Sequence, residues 1–234
     1  MIKTLYKNFQ HWSKKGSVYL ISDTHFDDPD RDFMGYTVSE DEQIEILKKT
    51  VHKQDTLIHL GDVGNPDYIK QLNCYKVLIM GNHDQSKTKF EKKYTTIDLD
   101  NLTDEEIKLK ERKHEIDYWS YEFHKPFVRG YKSNNLFDEV YQGPLWIAEK
   151  LIISHEPLMV ASSGCPIAFN IHGHDHSGEY YNDDYHLNIC QNIVGYLPYN
   201  LKDIIEEGFL KTILSIHRTA IERQKNRHDR NDIL

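Results

Sequence analysis

Short apolar runs alternate with amphipathic segments through the first eighty residues of the chain. Residues 18–22, 56–60 and 75–80 are rich in Val, Ile and Leu, and each run has the length of a buried strand. Segments with helical periodicity separate these runs. The order strand, helix, strand, helix, strand predicts βαβ units that build a parallel sheet covered by helices. Ligands bind at the carboxyl ends of such strands, so the loops that follow the runs are the first place to look for a site.

Two helix starts are visible between the strands. A Ser-x-x-Glu capping box at residues 39–42 precedes apolar residues at helical spacing, which predicts a helix over residues 40–53. Asn65 followed by Pro66 is typical of a helix cap and first helical turn, and it predicts a short helix that ends near residue 72.

The second half of the chain returns to strand-like apolar runs after a less regular middle. The segment 86–140 is interpreted as a variable insert that lines the cleft. We expect one domain over residues 1–222, followed by a charged, flexible tail over 223–234. The strands predicted in this half cover 137–141, 145–148, 151–154, 167–171 and 185–190, and the helices cover 103–113, 201–206 and 209–221.

Composition narrows the class of protein. The chain has 234 residues and a formal net charge of −8, which disfavours a long nucleic acid as ligand. No apolar run has the length of a signal peptide core or a membrane span, so we expect a cytoplasmic protein without a membrane partner. Cys74, Cys165 and Cys190 are scattered along the chain and are interpreted as reduced thiols.

Five polar clusters each follow an apolar run. Asp, Asn and His supply the oxygen and imidazole ligands that suit Mn, Fe, Zn or Ni. Each cluster alone has an ordinary interpretation, since Gly-Asp is common in turns and a single His often ends a strand. Their joint occurrence at predicted strand ends favours a metal site. The clusters are Asp23-Thr24-His25, Gly61-Asp62, Gly81-Asn82-His83-Asp84, His155 and Gly173-His174-Asp175-His176.

In this order the clusters resemble the signature of the calcineurin-like metallophosphoesterases, which reads D-x-H, G-D, G-N-H-D/E, H and G-H-x-H. The resemblance implies an α/β fold, a four-layer αββα sandwich of two mixed β-sheets flanked by helices. It also implies roles for nine residues. They are Asp23, His25, Asp62 and His176 for a first metal; Asp62, Asn82, His155 and His174 for a second, with Asp62 shared; His83 as catalytic histidine; and Asp84 as its orienting carboxylate.

The implied chemistry is hydrolysis of a phosphate ester with two divalent transition-metal ions. Manganese is favoured, and iron, zinc and nickel are the alternatives. A hydroxide shared by the two ions would attack phosphorus, and His83 would protonate the leaving oxygen as general acid. Asn82 is a neutral ligand, so it preserves the excess positive charge that attracts the phosphate.

Departures from known relatives narrow the substrate. Residues 61–66 lack the arginine of the related protein phosphatases, and the short chain lacks room for the added domains of double-strand-break nucleases. The chain is similar to small, stand-alone bacterial or phage-type members, so we expect a small phosphodiester or phosphomonoester, nucleotide-like in character. Two alternatives stay open. One is a nuclease on single strands or ends that uses the basic segments 87–93 and 108–113, and the other is a non-catalytic metal-binding scaffold.

Several neighbours of the clusters have simpler interpretations. Asp27 and Asp28 are interpreted as part of an acidic turn, and His59 as a core or sheet-face histidine. His172 is interpreted as strand-end packing. Arg31 is considered for substrate contact.

Overall fold

The computed structural model describes most of the chain, with gaps. The described residues are 1–84, 103, 105, 136–162, 165–179, 182–211 and 213. The described residues leave out most of the predicted helix over 103–113, most of the predicted insert over 86–140, the predicted helix over 209–221 beyond residue 213, and the tail over 223–234.

The described residues form strands, helices and 3₁₀ segments. The strands are β1 (Val18–Ile21), β2 (Thr56–His59), β3 (Tyr75–Ile79), β4 (Glu139–Tyr141), β5 (Leu145–Ala148), β6 (Leu151–Ile153), β7 (Ala161–Ser162), β8 (Cys165–Pro166), β9 (Phe169–His172), β10 (His186–Asn188) and β11 (Tyr199–Asn200). The helices are α1 (Glu40–Thr50), α2 (Pro66–Ile69), α3 (Gln191–Val194) and α4 (Leu201–Glu207), with 3₁₀ segments at Lys7–Ser13 and Phe209–Lys211.

The strands form two mixed sheets and a small hairpin. The first sheet has the order β11-β1-β2-β3-β4, in which β1 to β4 are parallel and β11 is antiparallel to β1. The second has the order β10-β9-β6-β5, and only β5 is antiparallel to its neighbour. Strands β7 and β8 pair with each other. The predicted α/β class with two mixed sheets and helices is confirmed, as is the parallel pairing of the first three strands.

Alternate residues of the first sheet face two different partners. Val18 and Leu20 point into a core shared with residues of the second sheet such as Ile153 and Ile171. Ile21 and Leu57 point the other way, into a core that they share with α1 and α2. Since side chains alternate along a strand, one apolar run serves both layers, which explains why these runs read as uniformly hydrophobic.

The carboxyl ends of the two sheets meet at one edge of the molecule. Ser22 and Cys190, just past β1 and β10, form an isolated parallel bridge. The backbone N–H of Gly173 donates to the carbonyl of His155 at 2.9 Å, and the N–H of Asp23 donates to Gly61 at the same distance. The loops that carry the polar clusters are therefore joined by backbone hydrogen bonds.

The predicted starts of α1 and α2 are confirmed, but both helices end a few residues earlier than predicted. Ser39 caps α1 with the predicted reciprocal bonds to Glu42, and Asn65 caps α2. Helix α2 stops at Ile69, short of the predicted end. None of the helices in the described part of the chain is both long and apolar enough to cross a bilayer.

A cavity variant tests the packing of α1 on the first sheet. Leu47 is fully buried on α1, so we expect Leu47→Ala to lower the free energy of unfolding by roughly 2–5 kcal/mol. Chemical denaturation measures this, with Lys49→Ala on the exposed face of the same helix as control. Equal stability of the two variants would contradict the described packing.

Candidate metal centre

All seven predicted metal ligands lie in loops at the joined carboxyl ends of the sheets. Two groups of three side chains stand out there, and in each group the donor atoms lie within 4.8 Å of one another. The first group is Asp23, His25 and His176, and the second is Asp62, His155 and His174. Asn82, the remaining predicted ligand, joins the second group.

The first group is deeply buried. Asp23 Oδ1 lies 3.6 Å from His176 Nε2 and 3.9 Å from His25 Nε2. Within the described residues, Asp23 Oδ1 and His25 Nε2 are buried side-chain atoms without a hydrogen-bond partner. Buried polar atoms are normally paired because an unpaired one costs free energy. A cation at their meeting point would satisfy both atoms, so this donor set fits a metal ion.

The second group is more compact and more exposed. His155 Nε2 lies 2.8 Å from Asn82 Oδ1, 3.2 Å from His174 Nδ1 and 3.3 Å from Asp62 Oδ2. Donor atoms that bind one ion at about 2.1 Å lie roughly 3.0–3.4 Å apart. Two of the three spacings fall in that range and the third is 0.2 Å shorter, so Asn82, His155, His174 and Asp62 together fit a second ion.

The carboxylate of Asp62 lies between the two groups. Its Oδ2 is 3.3 Å from His155 Nε2 in the second group and 3.7 Å from His25 Nε2 in the first. Its Oδ1 accepts a hydrogen bond from the backbone N–H of His83 at 2.9 Å. This position is the one that a shared ligand requires.

Three of the metal-facing imidazole rings make a hydrogen bond through Nδ1, the nitrogen on the side away from the metal group. The Nδ1–H of His25 donates to Asp28 Oδ2 at 2.8 Å, that of His176 to Asn192 Oδ1 at 3.1 Å, and that of His155 to the carbonyl of Leu60 at 2.9 Å. In a neutral ring, each contact places the proton on Nδ1 and leaves Nε2 as the acceptor that binds metals. Sequence reasoning missed Asp28 and Asn192 in this capacity. Only the spacing of Asp28, three residues after His25, gave a signal.

His83 and Asp84 take different positions. The His83 side chain is 55% exposed, and its Nε2 lies 3.9 Å from Asp62 Oδ2, at the open side of the centre. The buried carboxylate of Asp84 accepts hydrogen bonds from the backbone N–H groups of Gly81, Asp62 and Val63 at 2.8–3.1 Å. Through these contacts Asp84 joins the loop that contains Asp62 and Val63 to the loop that contains Gly81. Its predicted action on the ring of His83 stays a prediction.

The backbone at the centre adopts a conformation that most residues avoid. Asp23, His25, Asp62 and His174 have φ angles of 54°, 43°, 56° and 69°. A left-handed backbone is uncommon for residues other than glycine, and such strain is concentrated at functional sites. Four of the seven predicted ligands are thus held in a costly conformation that aims their side chains inward.

Two glycines of the clusters permit close approach between loops. A Cβ on Gly81 would lie 2.2 Å from Asp62 Oδ1, and one on Gly173 would lie 2.0 Å from Asp23 Oδ2. Only glycine lets the backbone pass so near a carboxylate. Glycine is therefore required at these positions to place the carboxylates.

The ionisable groups of the centre influence one another strongly. Burial lowers the pKa of His155, but its contact with Asp62 and the charge of Asp23 raise it, to about 9. Burial raises the pKa of Asp62, but its contacts with His155 lower it further, to about 2. Burial is the largest influence on His25 and lowers the pKa of that ring. His155 thus carries a proton that a metal ion must displace.

The structure also shows where three neighbouring residues lie. Arg31, which was only considered for substrate contact, is buried and donates to the carbonyls of Thr24 and Val38, so its guanidinium is engaged by backbone. His59 is fully buried and bonds to the hydroxyl of Thr24 at 2.9 Å, as its interpretation as a core histidine requires. His172 is buried at the end of β9.

The comparison with family models bears on this centre. Residues 17–132 match the family model of the calcineurin-like phosphoesterase superfamily domain, and the chain belongs to that superfamily. No curated protein matches the chain. A solved structure of a protein of unknown function from Aquifex aeolicus is 21% identical, with a TM-score of 0.46, and the match covers 81% of this chain and 98% of that one. Membership supports a metal-dependent phosphoesterase activity in general.

A methyl group on Gly81 should disturb the metal centre. Because its Cβ would meet Asp62 Oδ1 at 2.2 Å, we expect Gly81→Ala to lower metal affinity by at least about tenfold, the range seen when ligand supports are lost. Isothermal titration calorimetry with Mn²⁺ measures the change. The control is Lys49→Ala, an exposed residue of α1 outside the centre. An unchanged affinity in Gly81→Ala would contradict the described approach of the loops.

Metal binding should release a proton from His155. With a pKa of about 9 in the metal-free protein, the ring is protonated at neutral pH, whereas a ligand must be neutral. We expect release of about one proton and an affinity that rises about tenfold per unit between pH 7 and 8.5. Calorimetry in buffers of different ionisation enthalpy counts the protons. The count should fall by about one in His155→Asn, and an equal count in both proteins would refute the assignment.

Proposed function

We propose that this protein hydrolyses a small phosphodiester or phosphomonoester with two divalent metal ions. The observation that carries the proposal is the position of the Asp62 carboxylate between two groups of metal-binding side chains. An ion in the second group alone would leave Asp23 Oδ1 and His25 Nε2 of the first group buried and without a hydrogen-bond partner within the described residues. Two ions that share Asp62 satisfy both groups.

The bound ions would lower the pKa of a water molecule, and their positive charge would stabilise the phosphate oxygens. The protein supplies the geometry and the proton. His83 is exposed at the open side, next to Asp62 but outside both ligand groups. It is therefore placed to hold a proton at Nε2 and to donate it to the oxygen of the leaving alcohol. Asn82 binds as a neutral amide, so it adds no negative charge where an anionic substrate must approach.

The spaces beside the centre favour a small substrate. A recess of about 360 Å³ adjoins the first group and is lined by His25, Asp28, Asn65 and His83 among others. A second recess of about 140 Å³ adjoins the second group, beside Asn82 and His155. The larger recess lies at the lower end of the range for small-molecule sites. Two recesses flanking the centre suit a diester whose substituents extend to both sides, with the leaving group beside His83.

The donor set narrows the choice of metal. Carboxylate, amide and imidazole donors without a thiolate suit Mn²⁺, and they also accept Fe, Zn or Ni. We propose manganese, and metal analysis of the purified protein decides among these ions. The nuclease alternative depends on basic residues in 87–93 and 108–113, which lie outside the described residues.

Two variants separate metal binding from proton donation. We expect Asp62→Asn to abolish turnover and to lose bound metal, because both groups share this carboxylate. We expect His83→Ala to retain metal but to lose about 10²–10⁴-fold in kcat on poor leaving groups, and less on a nitrophenyl ester, whose leaving group needs no proton. The assay compares bis-nitrophenyl phosphate, nitrophenyl phosphate, 2′,3′-cyclic nucleotides and single-stranded DNA with Mn²⁺, with Zn²⁺ and with chelator.

The control is His52→Ala, an exposed histidine outside the centre, which should leave kcat unchanged. Equal losses for good and poor leaving groups in His83→Ala would rule out the general acid. Cleavage of DNA alone would favour a nuclease, and a metal-loaded but inactive wild type would favour a scaffold.

A further inference from the structure

We propose that Asp28 is a positioning residue that acts through His25 to set the affinity of the first metal group. The inference rests on the proposed function, since it concerns the same centre. Asp28 was interpreted from the sequence as part of an acidic turn. The structure places its carboxylate directly behind a metal-facing ring.

The contact between Asp28 and His25 is short and well supported. Asp28 Oδ2 lies 2.8 Å from His25 Nδ1, and Asp28 Oδ1 accepts a hydrogen bond from the backbone N–H of Asp30 at 3.0 Å. The backbone N–H of Asp28 donates to the carbonyl of His25 at 3.1 Å. The carboxylate is 18% exposed. Its two oxygens and its backbone are thus fixed within one turn, with one oxygen aimed at the ring.

The geometry excludes Asp28 as a ligand of the first group. The nitrogen that faces Asp23 Oδ1 and Asp62 Oδ2 is His25 Nε2, on the opposite side of the ring from Nδ1. A carboxylate bonded to Nδ1 therefore lies behind the ring. An ionised carboxylate only accepts hydrogen bonds, so the proton of a neutral His25 stays on Nδ1. The lone pair of Nε2 then faces the two aspartate oxygens.

The partner of His25 differs in charge from the partners of the other two rings. His155 is held by the neutral carbonyl of Leu60, and His176 by the neutral amide of Asn192. A carboxylate behind a ligating imidazole fixes its orientation and increases its basicity toward the metal. Loss of the charge of Asp28 should therefore weaken the first group selectively and leave the second group unaffected.

The first experiment measures affinity at the first group alone. In the background His174→Ala, which removes an exposed ligand of the second group, Mn²⁺ is titrated into the metal-free protein by calorimetry. We expect Asp28→Ala to weaken binding by about 10–100-fold and Asp28→Asn, which keeps an acceptor without charge, to weaken it by less. Asp30→Asn, an exposed carboxylate in the same turn, is the matched control and should match the parent.

The second experiment separates positioning from folding. Thermal unfolding of the metal-free Asp28→Asn protein should match the parent, and excess Mn²⁺ should restore the kcat of Asp28→Asn in the otherwise wild-type chain. If Asp28→Ala fails to fold, the Asn variant decides. Affinity equal to that of the parent, or an equal loss in Asp30→Asn, overturns the proposal.

The metal readout also distinguishes the two proposals from each other. A selective loss of affinity in the Asp28 variants of a protein that hydrolyses no ester would support Asp28 and refute the enzyme. Ester hydrolysis by the wild type, together with an unchanged metal affinity in the Asp28 variants, would support the enzyme and refute the role of Asp28.

Discussion

Three carboxylates buried next to one another are the constraint on which this centre depends. Asp23, Asp62 and Asp84 are 0%, 2% and 2% exposed, and an ionised carboxylate taken out of water costs several kcal/mol unless it is compensated. Asp84 is compensated by three backbone N–H groups. Asp62 has a protonated His155 beside it. Asp23 Oδ1 has no hydrogen-bond partner within the described residues, and a bound cation would compensate it.

The fold holds these three buried carboxylates close together. Two sheets share an apolar core, and their carboxyl ends are joined by backbone hydrogen bonds, so the loops above them have little freedom. The left-handed backbone of Asp23, Asp62 and His174 and the close approach at Gly81 store strain in those loops. Packing energy of the core thus maintains a geometry that the loops alone would not adopt.

Sequence predicted the strands and the polar clusters because both leave local signals, and the proposed ligand set came from the resemblance of those clusters to a family signature. An apolar run marks a buried strand, and a polar cluster directly after it must lie at the sheet edge. The family match ends at residue 132, so His155 and His174 lie beyond it, and the structure brings them to the centre. Strand β11 was missed because it has only two residues and depends on pairing with β1.

Roles that depend on contacts between distant residues were the part that sequence could not supply. Sequence left Arg31 as one of several residues considered for substrate contact, and the structure shows it buried against backbone carbonyls. Asn192 supports His176 from sixteen residues away, and nothing in the local pattern of an amide indicates such a use. Asp28 was placed in the right turn but given no role, since a turn carboxylate and a histidine support look alike in sequence.

Anomalous diffraction from crystals grown with Mn²⁺ tests the central claim most directly. The account predicts two peaks roughly 3.5–4 Å apart, one among Asp23, His25 and His176 and one among Asn82, His155 and His174, with the Asp62 carboxylate between them. One peak alone, or two peaks with Asp62 bound to neither, would contradict it.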